Sequence, residues 1–540
     1  MKNRRLILVT AIGVFALLTG STSLAAQDAT APAKKAQHHH YKLLVMGTFG
    51  GPGSYFADYP GNTKGMLSAP LVTGLADTPT PDPYAPNFPW SDGYVAHTFE
   101  RRDGAFKDLG ALPGFGNSSA STWINARGLI AGISENGQID PLYTGMPEVR
   151  AVIWENGKIK DLGTLEGGNE SAAYAISNRG QVVGTSTNLV PDANSMARNT
   201  FWLWGDGIAA YPYQVRSFLW DRHAGMQDLG TLGTGTDAQA LFINDAGQVA
   251  GISYVNSDPG ACVFGITTHS FIWNKEDGMT DLGSLGGTCT LASDLNSKGQ
   301  VVGEAWATGD NEIRPFLWDN GSLQDLGGTL GGSEVDALAI NQRGEAAGKA
   351  NLPGDATSHA VLWRQVGDFT DLGTVGNDPC AFAWAINDAE QVVGLSSPSD
   401  CAVYNVSRPF LWENGSMADL NSLIPPNSSL KLVYAFAIND RGDIPGNGID
   451  ANGNVRAFLL IPCDENHADL EDCDYSLVET SGTAAASSTP ASTAMLASPA
   501  NQDNPAFVRA ANTMLRRFGR CPWLWHRWPV PQAPREEVKQ

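Results

Sequence analysis

The sequence predicts an all-β protein assembled from repeated four-stranded antiparallel units, on three observations. A stretch reading "DLGTLEGGNESAAYAISNRGQVVGTS" from Asp161 returns in recognisable form at Asp228, Asp281, Asp325 and Asp371. Each copy holds four short segments in fixed order, all rich in β-branched, aromatic or aliphatic residues and too short for an ordinary helix. The leucines of the recurring D-L-G element (Leu109, Leu162, Leu229, Leu282, Leu326, Leu372, and Leu420 in a D-L-N variant) stand 53, 67, 53, 44, 46 and 48 residues apart. Self-similarity at that period overrides the several-domain reading that 540 residues would otherwise invite.

Segment a resembles Ala172–Ser177, b Gln181–Ser186, c Ser217–Trp220 and d Met226–Gly230. Between a and b stands N-x-x-G: Asn125 with Gly128, Asn178 with Gly180 one residue shorter, Asn244 with Gly247, Asn296 with Gly299, Asn341 with Gly344, and Asn439 with Gly442. Asparagine favours the first corner of such a turn and glycine the left-handed position that closes it. Asn156-Gly157, Asn320-Gly321 and Asn414-Gly415 follow strand c. Asn-Gly suits a type I′ hairpin, which needs positive φ at both residues. Strand a is therefore expected to pair with b, and c with d. The b-to-c connection varies most in length, and that is where a repeat protein carries its binding loops.

Strand c is apolar on both faces, as at Phe218-Leu219-Trp220, Phe271-Ile272-Trp273, Phe316-Leu317-Trp318 and Phe410-Leu411-Trp412. A sheet with one wet face should alternate, so these sheets are expected to be covered on both sides. Four strands in roughly 40–50 residues is the size of a β-propeller blade. "YKLLVMG" (Tyr41 to Gly47) reads as a lone d strand, while the last unit stops after its c strand at "AFLLIP" (Ala457 to Pro462). The first strand is thus expected to complete the last blade and close the ring. Eight blades are expected. Seven is the alternative, because the first unit is degraded ("NTKGMLSA", "HTFERRDGAFKDLG").

The D-L-G, I-N-x-x-G and F-L-W elements in combination, from Tyr41 to Pro462, resemble the HAF repeat family of probable extracellular bacterial repeat proteins. The family's His-Ala-Phe is altered here to "HTF" at His97, "HSF" at His269 and "HAV" at His359. The resemblance implies an extracellular repeat fold and brings no established reaction.

Residues 1–26 read as a signal peptide: Lys2, Arg4 and Arg5, an apolar run from Leu6 to Leu18, then small residues. The run is shorter than the roughly 20 residues of a spanning helix, so cleavage and an extracellular or periplasmic location are expected. Residues 27–40, including His38, His39 and His40, read as a solvated linker, 41–476 as the propeller, 477–504 as a Ser/Thr/Ala/Pro-rich linker and 505–540 as a basic amphipathic tail. That tail, with Arg509, Arg516, Arg520 and tryptophans Trp523, Trp525 and Trp528, could make a peripheral membrane contact; docking on the acidic body, or no fixed structure, is favoured. Export favours disulfides, and proximity within the repeat pairs Cys262 with Cys289, Cys380 with Cys401 and Cys463 with Cys473, leaving Cys521. The formal charge of −21, reached despite the basic tail, argues against a nucleic-acid partner.

The aspartates Asp108, Asp161, Asp228, Asp281, Asp325 and Asp371 recur once per unit and are read as turn acceptors rather than catalytic acids. The strand-c tryptophans, Trp154, Trp220, Trp273, Trp318, Trp363 and Trp412, are read as packing between blades. Off-pattern aromatics in long insertions are the ligand-binding candidates: Trp90, Trp202, Trp204, Tyr211 and Tyr213, with Tyr84, Phe88 and Phe201 beside them. Asp140 with Glu148, and Asp192, are the loop acids to inspect for a catalytic pair. No H-E-x-x-H, phosphate-binding loop, G-x-S-x-G or D-x-D-x-D-G calcium loop occurs, so no metal, cofactor or catalytic residue is expected. The leading expectation is a secreted, non-catalytic binding or surface-interaction module for an extracellular glycan or protein, acting through its b-to-c loops and central channel. The alternative is a polysaccharide-acting hydrolase or lyase.

Overall fold

A computed structural model describes residues 36–480 apart from 57–62, 69, 85–92, 115, 142–144, 146, 197–212, 263–264, 399–400, 402–406 and 469. The described residues form strands and short 3₁₀ turns at Thr63–Met66, Leu420–Ser422 and Glu465–His467, with no α-helix among them. None forms a helix long and apolar enough to cross a membrane.

Within each unit the strands pair antiparallel in chain order, and single parallel pairings, Thr268↔Cys289 and Ser358↔Cys380, join the fourth unit to the fifth and the sixth to the seventh. The third unit shows the pattern: a is Ser171–Ile176, b Val182–Pro191, c Tyr213–Asp221 and d Gly225–Asp228. The second unit opens with strand a at Ser119–Ile124, and the fourth to seventh with Ala238–Ile243, Gly286–Leu295, Val335–Ile340 and Cys380–Ile386. In the degraded first unit Ser54–Tyr55 takes the place of a beside Leu71–Pro81, Tyr94–Arg102 and Ala105–Asp108. The last unit supplies Leu430–Ala435, Ile444–Asp450 and Val455–Pro462, and its fourth strand is Tyr41–Val45, paired from Tyr41↔Pro462 to Val45↔Phe458. Residues 36–40 are no free linker: Ala36–His39 pairs with Leu477–Thr480, and His38 is fully buried.

The repeated letters have mechanical roles. Asn156, Asn320 and Asn414 hold φ of 54, 46 and 53°, and each is followed by a glycine at positive φ, the backbone a type I′ hairpin demands. In the a–b turn the asparagine side chain caps backbone N–H groups, while its amide donates to the matching carbonyl of the next unit. Those ties run Asn244 to Asn296 (3.1 Å), Asn296 to Asn341 (3.0 Å), Asn341 to Asn387 (3.0 Å) and Asn387 to Asn439 (2.9 Å). In the third unit Ser177, not Asn178, holds the turn position: its carbonyl accepts from Gly180 N–H and from the amide of Asn125. Asn178 belongs to a second series, accepting from Ala126 N–H and donating its own N–H to Asp245. A serine fits the turn because it also bonds nearby backbone.

Strand c is buried on both faces, with Phe218 0%, Leu219 6% and Trp220 4% exposed. Trp154, Trp363 and Trp412 are likewise buried, and Trp273 and Trp318 half-buried. The register of strand a slips in each unit from the second to the last, for example between Ala173 and Ala175 and between Ala383 and Ala385, and twice in the fifth. A residue left over at such a bulge is re-aimed. Here Tyr174, Leu241, Trp384 and Val433 enter one apolar cluster with Tyr55, Phe56 and Met66. The open central channel expected from the sequence is thus replaced, where strands a meet, by packed side chains.

Candidate functional site

Of the aromatic candidates, Trp90, Trp202, Trp204 and Tyr211 lie outside the described residues, as do Phe88 and Phe201. Tyr213 opens strand c of the third unit, half-buried opposite Pro191. The D-L-G aspartates each accept the N–H of the glycine two residues on, at 2.7 Å for Asp108, Asp161, Asp281 and Asp325 and 2.8 Å for Asp228 and Asp371. Across the c–d hairpin His97, His269 and His359 reach Asp108, Asp281 and Asp371 at 3.0, 2.9 and 2.9 Å. For Asp108 and Asp281 burial raises the pKa, but the histidine and the glycine N–H outweigh it and the net shift is downward. This recurring bracket is structural. Disulfides join Cys262 to Cys289, Cys380 to Cys401 and Cys463 to Cys473.

Where cavity and chemistry coincide is elsewhere, at the hairpin ends of the sixth, seventh and last units beside the two terminal strands. A cavity of about 630 Å³ is lined there by His39, Tyr41, Arg364, Glu390, Glu413 and Asp464, among others. His39 Nδ1 is buried and has no hydrogen-bond partner among the described residues. Glu413 accepts from His38 Nδ1 at 3.0 Å and from Gln391 Nε2 at 2.7 Å. Asp464 is held by His467 Nδ1 at 2.8 Å, and His467 Nε2 lies 3.4 Å from Asp443. Burial first, then the nearby Glu413, Asp464 and Asp443 carboxylates, push the Tyr41 phenol well above its ordinary value, so it stays protonated.

Glu390 is the irregular member. It stands where other units place the glycine of N-x-x-G, and it holds φ of 61°. A non-glycine residue in that region costs about 1–2 kcal/mol, and such strain is concentrated at functional sites. Its carboxylate pairs with Arg364 and lies 3.6 Å from Arg343. None of these residues was singled out from the sequence as a site. The one available signal was a unit whose "NDAE" (Asn387 to Glu390) breaks the turn motif.

The loop acids settle differently. Asp140 and Glu148 are buried, and Asp140 faces Glu170 of the next unit. Asp192 contacts Asp237 likewise, and Glu135 lies near Asp82. Burial is the main cause that pushes Glu135 to about 8, against the Ser118 N–H that favours the ionised form and with Asp82 adding to the rise. Asp237 is pushed to about 7, chiefly by burial; the Val215 N–H opposes and Asp192 adds. Glu170 is raised well above the ordinary range by burial and by Asp140. The folded protein therefore holds protons that the unfolded chain releases above its ordinary carboxyl pKa values. Stability from these groups is complete below those values and is lost as pH rises toward 7–8. In metal-free buffer the melting temperature is expected to fall across that window, with a slope of up to about 1.4 kcal/mol per pH unit for each group. Thermal melts of the wild type and of Glu135→Gln check this: a flat wild-type profile, or an equal slope in the variant, contradicts it.

No protein family and no curated protein matches the chain. Among solved structures it is similar to the Pyrococcus horikoshii acylaminoacyl peptidase, at 10% identity and TM-score 0.36, over 63% of this chain and 51% of that one. It is similar to Porphyromonas gingivalis dipeptidyl peptidase 4, at 9% identity and TM-score 0.41, over 70% and 55%. It is also similar to the β-propeller domain of the Trilobed protease from Pyrococcus furiosus, at 8% identity and TM-score 0.36, over 68% and 99%. The chain thus spans little more than half the length of the first two. Likeness at this level transfers no activity and no site residue. The expectation of a non-catalytic binding module is nevertheless corrected. The central channel through which it was expected to act is packed with apolar side chains where strands a meet, and Asp140 and Glu148 are buried.

Proposed function

We propose that this is an exported eight-bladed propeller, closed by Tyr41–Val45, with hydrolase-type chemistry in the cavity beside that strand. The three disulfides and the basic-then-apolar start of the sequence support export. The single observation that carries the chemistry is an open cavity of small-molecule size whose wall holds an unpartnered imidazole, a protonated phenol and two histidine-braced carboxylates. His39 takes a proton from water, the water oxygen attacks the scissile ester, amide or glycosidic centre, the bond to the leaving group breaks as Tyr41 gives that group its proton, and the proton held on His39 then returns through water to Tyr41. Glu413 and Asp464, which line the same cavity, favour the positive charge that develops on His39. With Glu390, Glu413, Asp440 and Asp464 against Arg364 and Arg441, the lining favours a polar substrate without net negative charge.

The test is hydrolysis of chromogenic ester, peptide and glycoside panels by the full chain. His39→Gln is expected to lower turnover about 100-fold or more, the usual yield of a positioned base. Glu390→Gly restores the regular turn and is expected to raise stability by about 1 kcal/mol while lowering turnover, a split that denaturant melts and kinetics read separately. No turnover by the wild type, or an unaffected His39→Gln, ends this reading.

A further inference from the structure

The chain enters and leaves the propeller at one place, the ribbon formed by Ala36–His39 and Leu477–Thr480. Directly opposed residues of such a pair share a face. His38 and Val478 face inward, His38 fully buried and Val478 packed on the cluster that holds Tyr41 and Leu460. On the other face Gln37 stands opposite Glu479 and His39 opposite Leu477. That face is open, with Gln37 and Glu479 exposed and Leu477 44% exposed, and through His39 it runs into the wall of the cavity. Tyr475, two residues before Leu477, is 46% exposed.

The segment leading to this face is acidic and held in place. Between Asp464 and Glu479 the sequence has seven acids and neither lysine nor arginine, and Glu465, Glu471, Asp472 and Asp474 are exposed. The Cys463–Cys473 disulfide fixes it, and Lys42 Nζ donates to the Glu471 carbonyl at 2.6 Å. The Tyr475 hydroxyl donates to the His467 carbonyl and accepts the Leu470 N–H, both at 3.0 Å. A surface fixed in this way loses little freedom when it binds. The cavity beside it sets Glu390, Glu413, Asp440 and Asp464 against Arg364 and Arg441. Acidic surface, acidic cavity mouth and the exposed Tyr475 and Leu477 suit one kind of occupant, cationic and rich in aromatic side chains.

We propose that this occupant is the chain's own basic tail, residues 505–540, docked across the open face of the ribbon and the mouth of the cavity. The tail lies outside the described residues, and the described chain runs out at Thr480, opposite Ala36 and three residues from His39. From Ala506 to Gln540 the sequence has seven arginines and lysines against two glutamates, together with Trp523, Trp525 and Trp528. Arginine pairs with carboxylates and stacks on tyrosine, and tryptophan covers exposed apolar side chains. The Ser/Thr/Ala/Pro-rich residues 481–504 reach about 25–30 Å as a flexible chain, well beyond the roughly 10 Å that three strand residues span. A tether of that length supplies an effective concentration on the order of 1 mM, so a contact with an intrinsic Kd of about 0.1 mM is docked about ten to one. Docking follows from charge and register and requires no reaction in the cavity.

The experiment is limited trypsin cleavage after Arg509, Arg516 and Arg520 in the full chain, compared bond by bond with a free peptide of residues 501–540 under the same conditions. The wild type is expected to be cut about tenfold more slowly than the peptide at low salt, and equally fast at about 1 M salt, where surface charges are screened. Glu465→Gln, Glu471→Gln and Asp472→Asn together neutralise the acidic segment and leave its supports, since Glu471 is held through its carbonyl and asparagine tolerates the φ of 62° at Asp472. That variant, shown by its melt to be folded, is expected to lose most of the protection. Glu276→Gln with Asp277→Asn, exposed in the fourth unit, is expected to keep it. Cleavage of the wild type as fast as the peptide, protection unchanged in the triple variant, or protection that appears only with anionic phospholipid vesicles overturns the proposal, the last in favour of a membrane contact. Turnover is not read, so an absence of hydrolysis leaves these outcomes untouched.

Discussion

Gly348→Ala is expected to cost more than about 4 kcal/mol, the range reserved for severe core disruption, and to leave little soluble protein. An added Cβ would lie 1.8 Å from the Asp336 carbonyl oxygen, a backbone atom that cannot rotate away. The cause is the bulge in the adjacent strand: the register slips between Ala337 and Ala339, and the strand leans onto strand b. The same approach recurs at Gly132 (2.1 Å), Gly184 and Gly251 (1.9 Å), Gly303 (2.0 Å), Gly394 (1.9 Å) and Gly446 (2.0 Å). The glycine of "QVVG" is therefore required by a close backbone approach, not by an unusual φ. Gly321→Ala is the comparison: nothing lies within 4 Å there, but φ is +86°, so only about 1–2 kcal/mol should be lost. Urea unfolding of both variants checks the order. Equal, small losses would mean that the bulged strand yields, and that the repeat glycine has another purpose.

What the sequence makes legible is whatever recurs. Asn320-Gly321 names its own hairpin, and Phe316-Leu317-Trp318 announces a strand covered on both sides, because each follows from local backbone or packing rules. The strand-a bulge is less legible: Leu241 and Trp384 sit in runs of apolar residues where an extra residue leaves no mark. The partners of Asp140 and Asp192 were hidden for another reason. Glu170 and Asp237 precede strand a at a place that varies from unit to unit, and only the paired register reveals that Cys289 stands there too. The candidate site is hardest of all. Arg364 and Glu413 each follow a strand-c tryptophan, where other units carry Glu155, Asp221 or Asp319 as hairpin acids. The histidine run reads as solvated until the strand partner at Leu477–Thr480 is known.

Removal of residues 36–46 is expected to lower the melting temperature by more than 10 °C. Tyr41 and Met46 are each 2% exposed, and burial of two such side chains is worth about 3–6 kcal/mol, before the ladder from Tyr41↔Pro462 to Val45↔Phe458 is counted. The loss also leaves Val455–Pro462 as an open edge, so aggregation should accompany it. A peptide spanning residues 36–48 added in trans should re-form the ladder and recover much of the lost stability, as strand addition does elsewhere. Joining Leu43→Cys to Leu460→Cys, which face each other in that ladder, should raise the melting temperature above wild type if peeling of this strand begins unfolding. An unchanged melting temperature after deletion would remove the strand from the fold's support. Because His39 and Tyr41 come from one end of the sequence and Glu413 and Asp464 from the other, cavity and closure are a single device. Peptide rescue of stability should then bring turnover back with it. Stability restored by a peptide carrying His39→Gln, without turnover, would separate the part that closes the fold from the part that performs chemistry.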